Sequence, residues 1–173
     1  ADHGPSHLLR GKTTPKEFGL RVPFIVRWPG QIKALGARSE SLVSFVDLYP
    51  TFVDAAGLDI PEHLPGYSIL PALNANKTGR QHLYSAFVAH TTGIHQYWPT
   101  RTVTDGRWKL IHHVFGNGNR SRYSEKNKAI FSLNKQIDSL AGNSLARQLR
   151  TLSEVPPAFE LYDLKNDPDE HHN

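Results

Sequence analysis

Neither cysteine nor methionine occurs in this chain of 173 residues. The first absence excludes disulfides, zinc–thiolate centres and a cysteine nucleophile, and leaves the compartment open. The second extends to position 1. The chain opens on Ala1-Asp2-His3-Gly4 without a signal peptide and is read as starting inside a longer protein. No apolar run approaches the ~18 residues that a membrane-crossing helix needs. The formal net charge is +4, yet no dense block of lysine and arginine marks a nucleic-acid arm. No internal repeat is visible.

What remains is an ordinary globular composition, with 38% hydrophobic and 21% charged residues. The length suits one domain with a core of its own, or parts of two. The mild positive charge reads as a basic surface, or as a few cations gathered around a small anionic ligand.

Residues 1–14 read as a polar, Gly-rich loop. Val22-Pro23-Phe24-Ile25-Val26-Arg27-Trp28, closed by Pro29-Gly30, reads as a buried strand with Pro23 at its first position. Asp47 suits an N-cap and Pro50 a first helical turn. Leu48, Phe52, Val53 and Ala56 share a face that is expected to be core, and Gly57 stops the helix. A short helical turn is expected near Ile69-Leu70 and a strand over Leu83 to Val88. Asp105-Gly106 between Arg101-Thr102-Val103-Thr104 and Trp108-Lys109-Leu110-Ile111 predicts a hairpin. A helix is expected from Ile130 to Leu152, interrupted at Gly142-Asn143. The alternating Phe159-Glu160-Leu161-Tyr162-Asp163-Leu164 gives a final strand, and the end at His171-His172 reads as disordered. The pattern is α/β at first and then strands around a helix, as at the edge of a parallel-sheet domain followed by a small antiparallel α+β subdomain.

Asp2-His3-Gly4 is the first chemical candidate. A carboxylate and an imidazole in a Gly-flanked loop can each give one ligand to a divalent metal, although alone the triplet reads as a surface turn. Gly11-Lys12-Thr13-Thr14 can bring an ammonium and hydroxyls to an anion, but it is not a phosphate loop because the second glycine is missing. His112-His113 reads as in-and-out strand packing rather than a metal pair. His90 and His95 read either as structural histidines or as contacts to a sugar hydroxyl. Asn76-Lys77-Thr78 and Asn119-Arg120-Ser121 fit the glycosylation pattern.

Taken in order, Asp2-His3-Gly4, Gly11-Lys12-Thr13-Thr14 and Glu17-Phe18-Gly19-Leu20-Arg21-Val22-Pro23-Phe24-Ile25-Val26-Arg27-Trp28-Pro29-Gly30 resemble the sulfatase family of the alkaline-phosphatase-like superfamily. Val43 to Thr51, Gly66-Tyr67-Ser68-Ile69-Leu70-Pro71, Thr104 to Ile111 and Glu160 to Pro168 continue the resemblance over nearly the whole chain. It is closest in character to heparan N-sulfatases and other glycan sulfatases.

The resemblance implies a C-terminal part of that α/β fold. Residues 1–75 would finish the catalytic domain, and residues 76–173 would form the small α+β subdomain. It implies Asp2 and His3 as metal ligands and Lys12 as the residue at the sulfate and leaving-group oxygen, with His90 and His95 near the substrate. The metal expected is calcium. His3, a nitrogen donor, also admits manganese, and magnesium is possible. The family's formylglycine nucleophile and paired aspartates would lie in an N-terminal part. The substrate expected is a sulfated small molecule or glycan, the setting periplasmic, extracellular or lysosomal, and the isolated chain inactive. Two other readings stay open: a phosphodiester or phosphonate monoester hydrolase of the same superfamily, and a non-catalytic module that binds anions or glycans.

Overall fold

The computed structural model describes residues 2–5, 10–33, 36–75, 80–88, 98–116, 135 and 144–173. The chain forms two compact units, one of Ala1–Phe24 with Tyr84–Asn173 and the other of Ile25–Leu83.

The first unit is built on a four-stranded sheet in the order β1-β2-β3-β4, with β1 Leu83–Phe87, β2 Thr100–Thr104, β3 Trp108–His113 and β4 Phe159–Asp163. The expected hairpin joins β2 to β3 in antiparallel register, from Thr100 opposite His113 to Thr104 opposite Lys109. Its turn is held by the Asp105 carboxylate, which accepts the backbone N–H groups of Arg107 at 2.8 Å and Trp108 at 2.7 Å. β4 runs antiparallel to β3, with Ile111 opposite Glu160. Helix α1 covers Glu17–Leu20 and the last helix of the chain Ser144–Glu154. The remainder of the expected helix from Ile130 lies outside the described residues, apart from Lys135.

The sheet's covered face is unusual in composition. Alternation buries Lys109, Ile111 and His113 on β3, Glu160 and Tyr162 on β4, and Thr100 and Thr102 on β2. The partners on the opposite face, Trp108, Leu110, Phe159 and Leu161, are exposed. His112 points to that face and stacks on Phe159 with ring centroids 4.6 Å apart, so the two adjacent histidines do face opposite ways. The final residues are ordered, contrary to expectation. The Asp167 carboxylate accepts the N–H groups of His171 and His172, each at 2.8 Å, and Asn173 accepts that of Leu161 on β4.

In the second unit a 3-10 turn, Phe45–Asp47, leads into α2, Leu48–Ala55, and later comes α3, Leu70–Ala75. Gly57 ends α2 with φ 72°. Asp47 is a hub rather than a simple N-cap. Its buried carboxylate accepts the N–H groups of Ser44 and Tyr67 and pairs with Arg80. Two expectations fail here. The α2 stripe is not core: Phe52 is 68% exposed, and Pro50 and Thr51 are the buried residues. Residues 22–28 form no strand, and Ile25 is 89% exposed. A strand needs a ladder partner, and none is present among the described residues.

Candidate functional site

The polypeptide ahead of α1 folds back on itself. Gly4 N–H donates to the Gly19 carbonyl at 3.2 Å, and Lys12 N–H to that of Pro5 at 2.9 Å. Both glycines are required by contact. A Cβ at position 4 would lie 1.6 Å from the Phe18 carbonyl oxygen, and one at position 19 would lie 2.5 Å from those of Gly11 and Thr14. Asp2-His3 and Gly11-Lys12-Thr13-Thr14, ten residues apart in sequence, therefore share one loop cluster.

Asp2 is 89% exposed, with its Oδ2 3.8 Å from His3 Nε2. His3 Nδ1 lies 2.6 Å from the Gly4 carbonyl. A carbonyl can only accept, so Nδ1 carries a proton and Nε2 is the ring nitrogen on the side of Asp2. Two donor atoms at that separation can both reach a divalent ion at ~2.2 Å. They form only part of a shell: among the described residues no three His, Cys, Asp or Glu groups converge on one point. Lys12 is half-buried, and its side chain has no partner among the described residues. Beside it, Thr13 holds a left-handed φ of 67°, a conformation that costs a non-glycine residue roughly 1 kcal/mol. The Thr14 hydroxyl lies 2.7 Å from the carbonyls of both Arg10 and Gly11 and closes the turn.

Beneath this loop is a buried network that sequence reasoning missed. Lys16 Nζ donates to Glu160 Oε2 and, at 2.7 Å, to the Tyr162 hydroxyl, which itself donates to Glu160. Glu160 Oε1 accepts from His113 Nε2 at 2.6 Å. The Trp98 indole, which can only donate, reaches His113 Nδ1 at 3.1 Å. That fixes His113 as the neutral Nε2–H tautomer. Lys109 Nζ donates to Glu17 Oε1 at 2.8 Å and lies 2.9 Å from Glu170 Oε1, an ion pair without hydrogen-bond geometry. Glu170 Oε2 accepts the Glu17 N–H at 2.8 Å, at the start of α1. Arg10 donates to the Asp169 and Glu170 carbonyls at 2.8 and 2.6 Å. Lys16 thus pairs with Glu160, and Lys109 with Glu17 and Glu170, as burial of charge demands.

Burial alone would raise the Glu160 carboxyl, but the His113 hydrogen bond and the Lys16 charge bring it down to about 2 from 4.5. Burial lowers the Lys16 ammonium to about 8 from 10.5, against the pull of Glu160. In both cases the unfolded chain binds more protons between the two values, so stability climbs with pH from 2 to 4.5 and again from 8 to 10.5. Denaturation measured at stepped pH should therefore show stability falling as pH drops below 4.5. Glu160→Gln should start lower at neutral pH and lose less over that acid range. An identical acid slope in the variant would remove Glu160 from the titration.

Of the five candidate residues, Asp2, His3 and Lys12 lie in this cluster, whereas His90 and His95 lie outside the described residues, as do both glycosylation triplets. A usable signal for the network was present in the sequence. Lys109 stands between Trp108 and Leu110 on β3, and Glu160 between Phe159 and Leu161 on β4, which allows the charged side of each strand to be the covered one.

Residues 7–154 match the family model described as N-sulphoglucosamine sulphohydrolase, C-terminal, and the chain belongs to this family of sulfatase-type hydrolases. Among curated proteins it is 34% identical to the ulvan-active sulfatase of Formosa agariphila, over 100% of this chain and 32% of that protein. It is also 34% identical to a Delta 4,5-hexuronate-2-O-sulfatase of Bacteroides thetaiotaomicron, over 68% of this chain and 26% of that one. Human arylsulfatase K is 42% identical over 41% of this chain and 13% of its own length. The chain thus spans a third or less of these relatives. A solved structure of a 2-O GAG sulfatase aligns with TM-score 0.43 and 25% identity, over 73% of this chain and 19% of that one.

Proposed function

We propose that this chain is the C-terminal part of an enzyme that hydrolyses sulfate esters or sulfamates on sugars. Lys12 sits at the sulfate, and Asp2 and His3 supply two ligands of a divalent cation. The observation that carries this reading is the folded-back loop cluster, in which backbone hydrogen bonds hold Lys12, whose side chain has no partner among the described residues, against the segment that carries the exposed Asp2 carboxylate and the His3 imidazole. The names of the relatives support a sulfated sugar as the substrate class. In this proposal residues 1–75 complete the catalytic domain, residues 76–173 form the small subdomain, and His90 and His95 approach the sugar.

Negative charge grows on the leaving oxygen or nitrogen as its bond to sulfur breaks. A fixed ammonium at Lys12 stabilises that charge where it develops. Asp2 would contribute a hard anionic oxygen and His3 its Nε2. A divalent cation held there supplies Lewis-acid polarisation of the sulfate oxygens. The carboxylate suits calcium or magnesium, and the imidazole admits manganese. The formylglycine nucleophile and the remaining acidic ligands are assigned to the N-terminal part of the parent, so this chain alone turns over nothing.

Chelation of the full-length enzyme should abolish hydrolysis, and titration with calcium should restore it. Asp2→Ala should require at least roughly tenfold more metal for half-recovery, because one charged ligand is lost. Equal recovery curves for the variant and the unaltered enzyme would remove Asp2 from the metal site.

A further inference from the structure

The loop that carries Lys12 is fastened on both sides to the C-terminal sheet. Two residues before Lys12, the Arg10 guanidinium holds the carbonyls of Asp169 and Glu170. Four residues after it, Lys16 enters the buried face of the sheet and meets Glu160 and Tyr162. Glu17 follows, bound through its side chain to Lys109 and through its N–H to Glu170.

Each anchor is itself fixed. Glu160 accepts three hydrogen bonds, from Lys16, Tyr162 and His113, and the Trp98 indole sets the His113 tautomer. The fixation then passes outward along the backbone. The Lys16 carbonyl accepts the N–H groups of Gly19 at 2.8 Å and Leu20 at 3.0 Å. Gly19 in turn abuts the Gly11 and Thr14 carbonyls, which flank Lys12. An unbroken path of contacts therefore runs from β4 to the Lys12 turn.

Apolar residues would fill such a face at equal or lower cost, because a buried ion pair adds little net stability. What charges and hydrogen bonds add is direction. We propose that Lys16 and Glu160 are positioning residues for Lys12: their buried pairing with Tyr162 and His113 locks the residue 10–16 loop to the sheet and thereby sets where the Lys12 ammonium meets the sulfate. This rests on the assignment of Lys12 made above. It adds that the C-terminal sheet takes part in sulfate binding without touching sulfate.

The test uses the full-length enzyme and two variants. Lys16→Met/Glu160→Gln removes both charges together and keeps the interior neutral. Tyr162→Phe removes one hydroxyl and spares the ion pair, which keeps the test open if the double variant does not fold. Amide hydrogen exchange is followed at Lys12 to Gly19, and binding of inorganic sulfate is measured by calorimetry, with Lys12→Ala alongside. Exchange at Lys12 to Thr14 should rise at least roughly tenfold in the double variant and about threefold in Tyr162→Phe. Sulfate affinity should fall with it, by about tenfold and threefold respectively.

Unchanged exchange in a folded variant overturns the lock. Faster exchange with unchanged sulfate affinity, while Lys12→Ala binds sulfate weakly, overturns the positioning role and leaves Lys12 at the sulfate. Wild-type sulfate binding by Lys12→Ala overturns the Lys12 assignment itself and this proposal with it.

Discussion

Lys109→Ala should cost about 3–5 kcal/mol of folding stability, the range found when one partner of a buried charge pair is removed. Lys109 Nζ is 2.8 Å from Glu17 Oε1 and 2.9 Å from Glu170 Oε1, and its side chain is buried. Without it two carboxylates face each other with no cation between them. One of them, Glu170, lies fully buried at a left-handed φ of 55°. Domains hold only about 5–15 kcal/mol in total, so the loss is a large fraction. The midpoint of chemical denaturation reports it directly. Two controls sharpen the result. Arg107→Ala breaks an exposed pair with Asp163 and should leave the midpoint nearly unchanged. Replacing Lys109, Glu17 and Glu170 together by Met, Gln and Gln should recover much of the loss, because no net charge is then stranded. A wild-type midpoint in Lys109→Ala would mean that water reaches this cluster freely.

Lys12→Ala in the full-length enzyme should lower kcat/KM for sulfate hydrolysis by about 10²–10³, the usual cost of removing one group aimed at developing charge. The fold should be unaffected, since the Lys12 side chain holds no partner among the described residues and its turn is secured by its own backbone N–H and by Thr14. Lys12→Arg should recover part of the rate, because it keeps the charge but changes its reach and geometry. The measurement is steady-state kinetics beside a thermal melt. A full rate in a normally folded Lys12→Ala protein would move the sulfate elsewhere.

The elements that were legible in the sequence are those whose signals are local. Asp105-Gly106 between alternating runs is enough to specify the β2–β3 hairpin, because the turn closes on its own side chain. Asp47, Pro50 and Gly57 delimit α2 for the same kind of reason. The failures concern what lies opposite an element. The 22–28 run has the composition of a strand, but composition cannot supply a neighbour. The Phe52 stripe has helical spacing, but spacing does not decide which face is covered.

The site divides along the same line. Asp2, His3 and Lys12 could be picked out because their types and order resemble a known pattern. Lys16 could not, since a lysine in a polar stretch reads as solvated. Glu160 was hidden inside an alternating strand whose apolar side, Phe159 and Leu161, invites burial and does not receive it. Only the register that sets Ile111 opposite Glu160, with the loop of residues 10–20 laid over that face, makes the charged side the interior one.

The pairing of buried cations with buried anions under the loop has a consequence for how this protein can drift. Lys16, Lys109, Glu160 and Glu170 are each trapped while their partners stand, since a lone change at a buried position strands a charge. A neutral exchange must therefore arrive as a joint change, at 16 with 160 or at 109 together with both of its glutamates. Descendants that have altered this interior should carry the record as joint replacements separated by some 60 to 140 positions along the chain, wide gaps set by the distance in sequence between Lys16 and Glu160 and between Lys109 and Glu170.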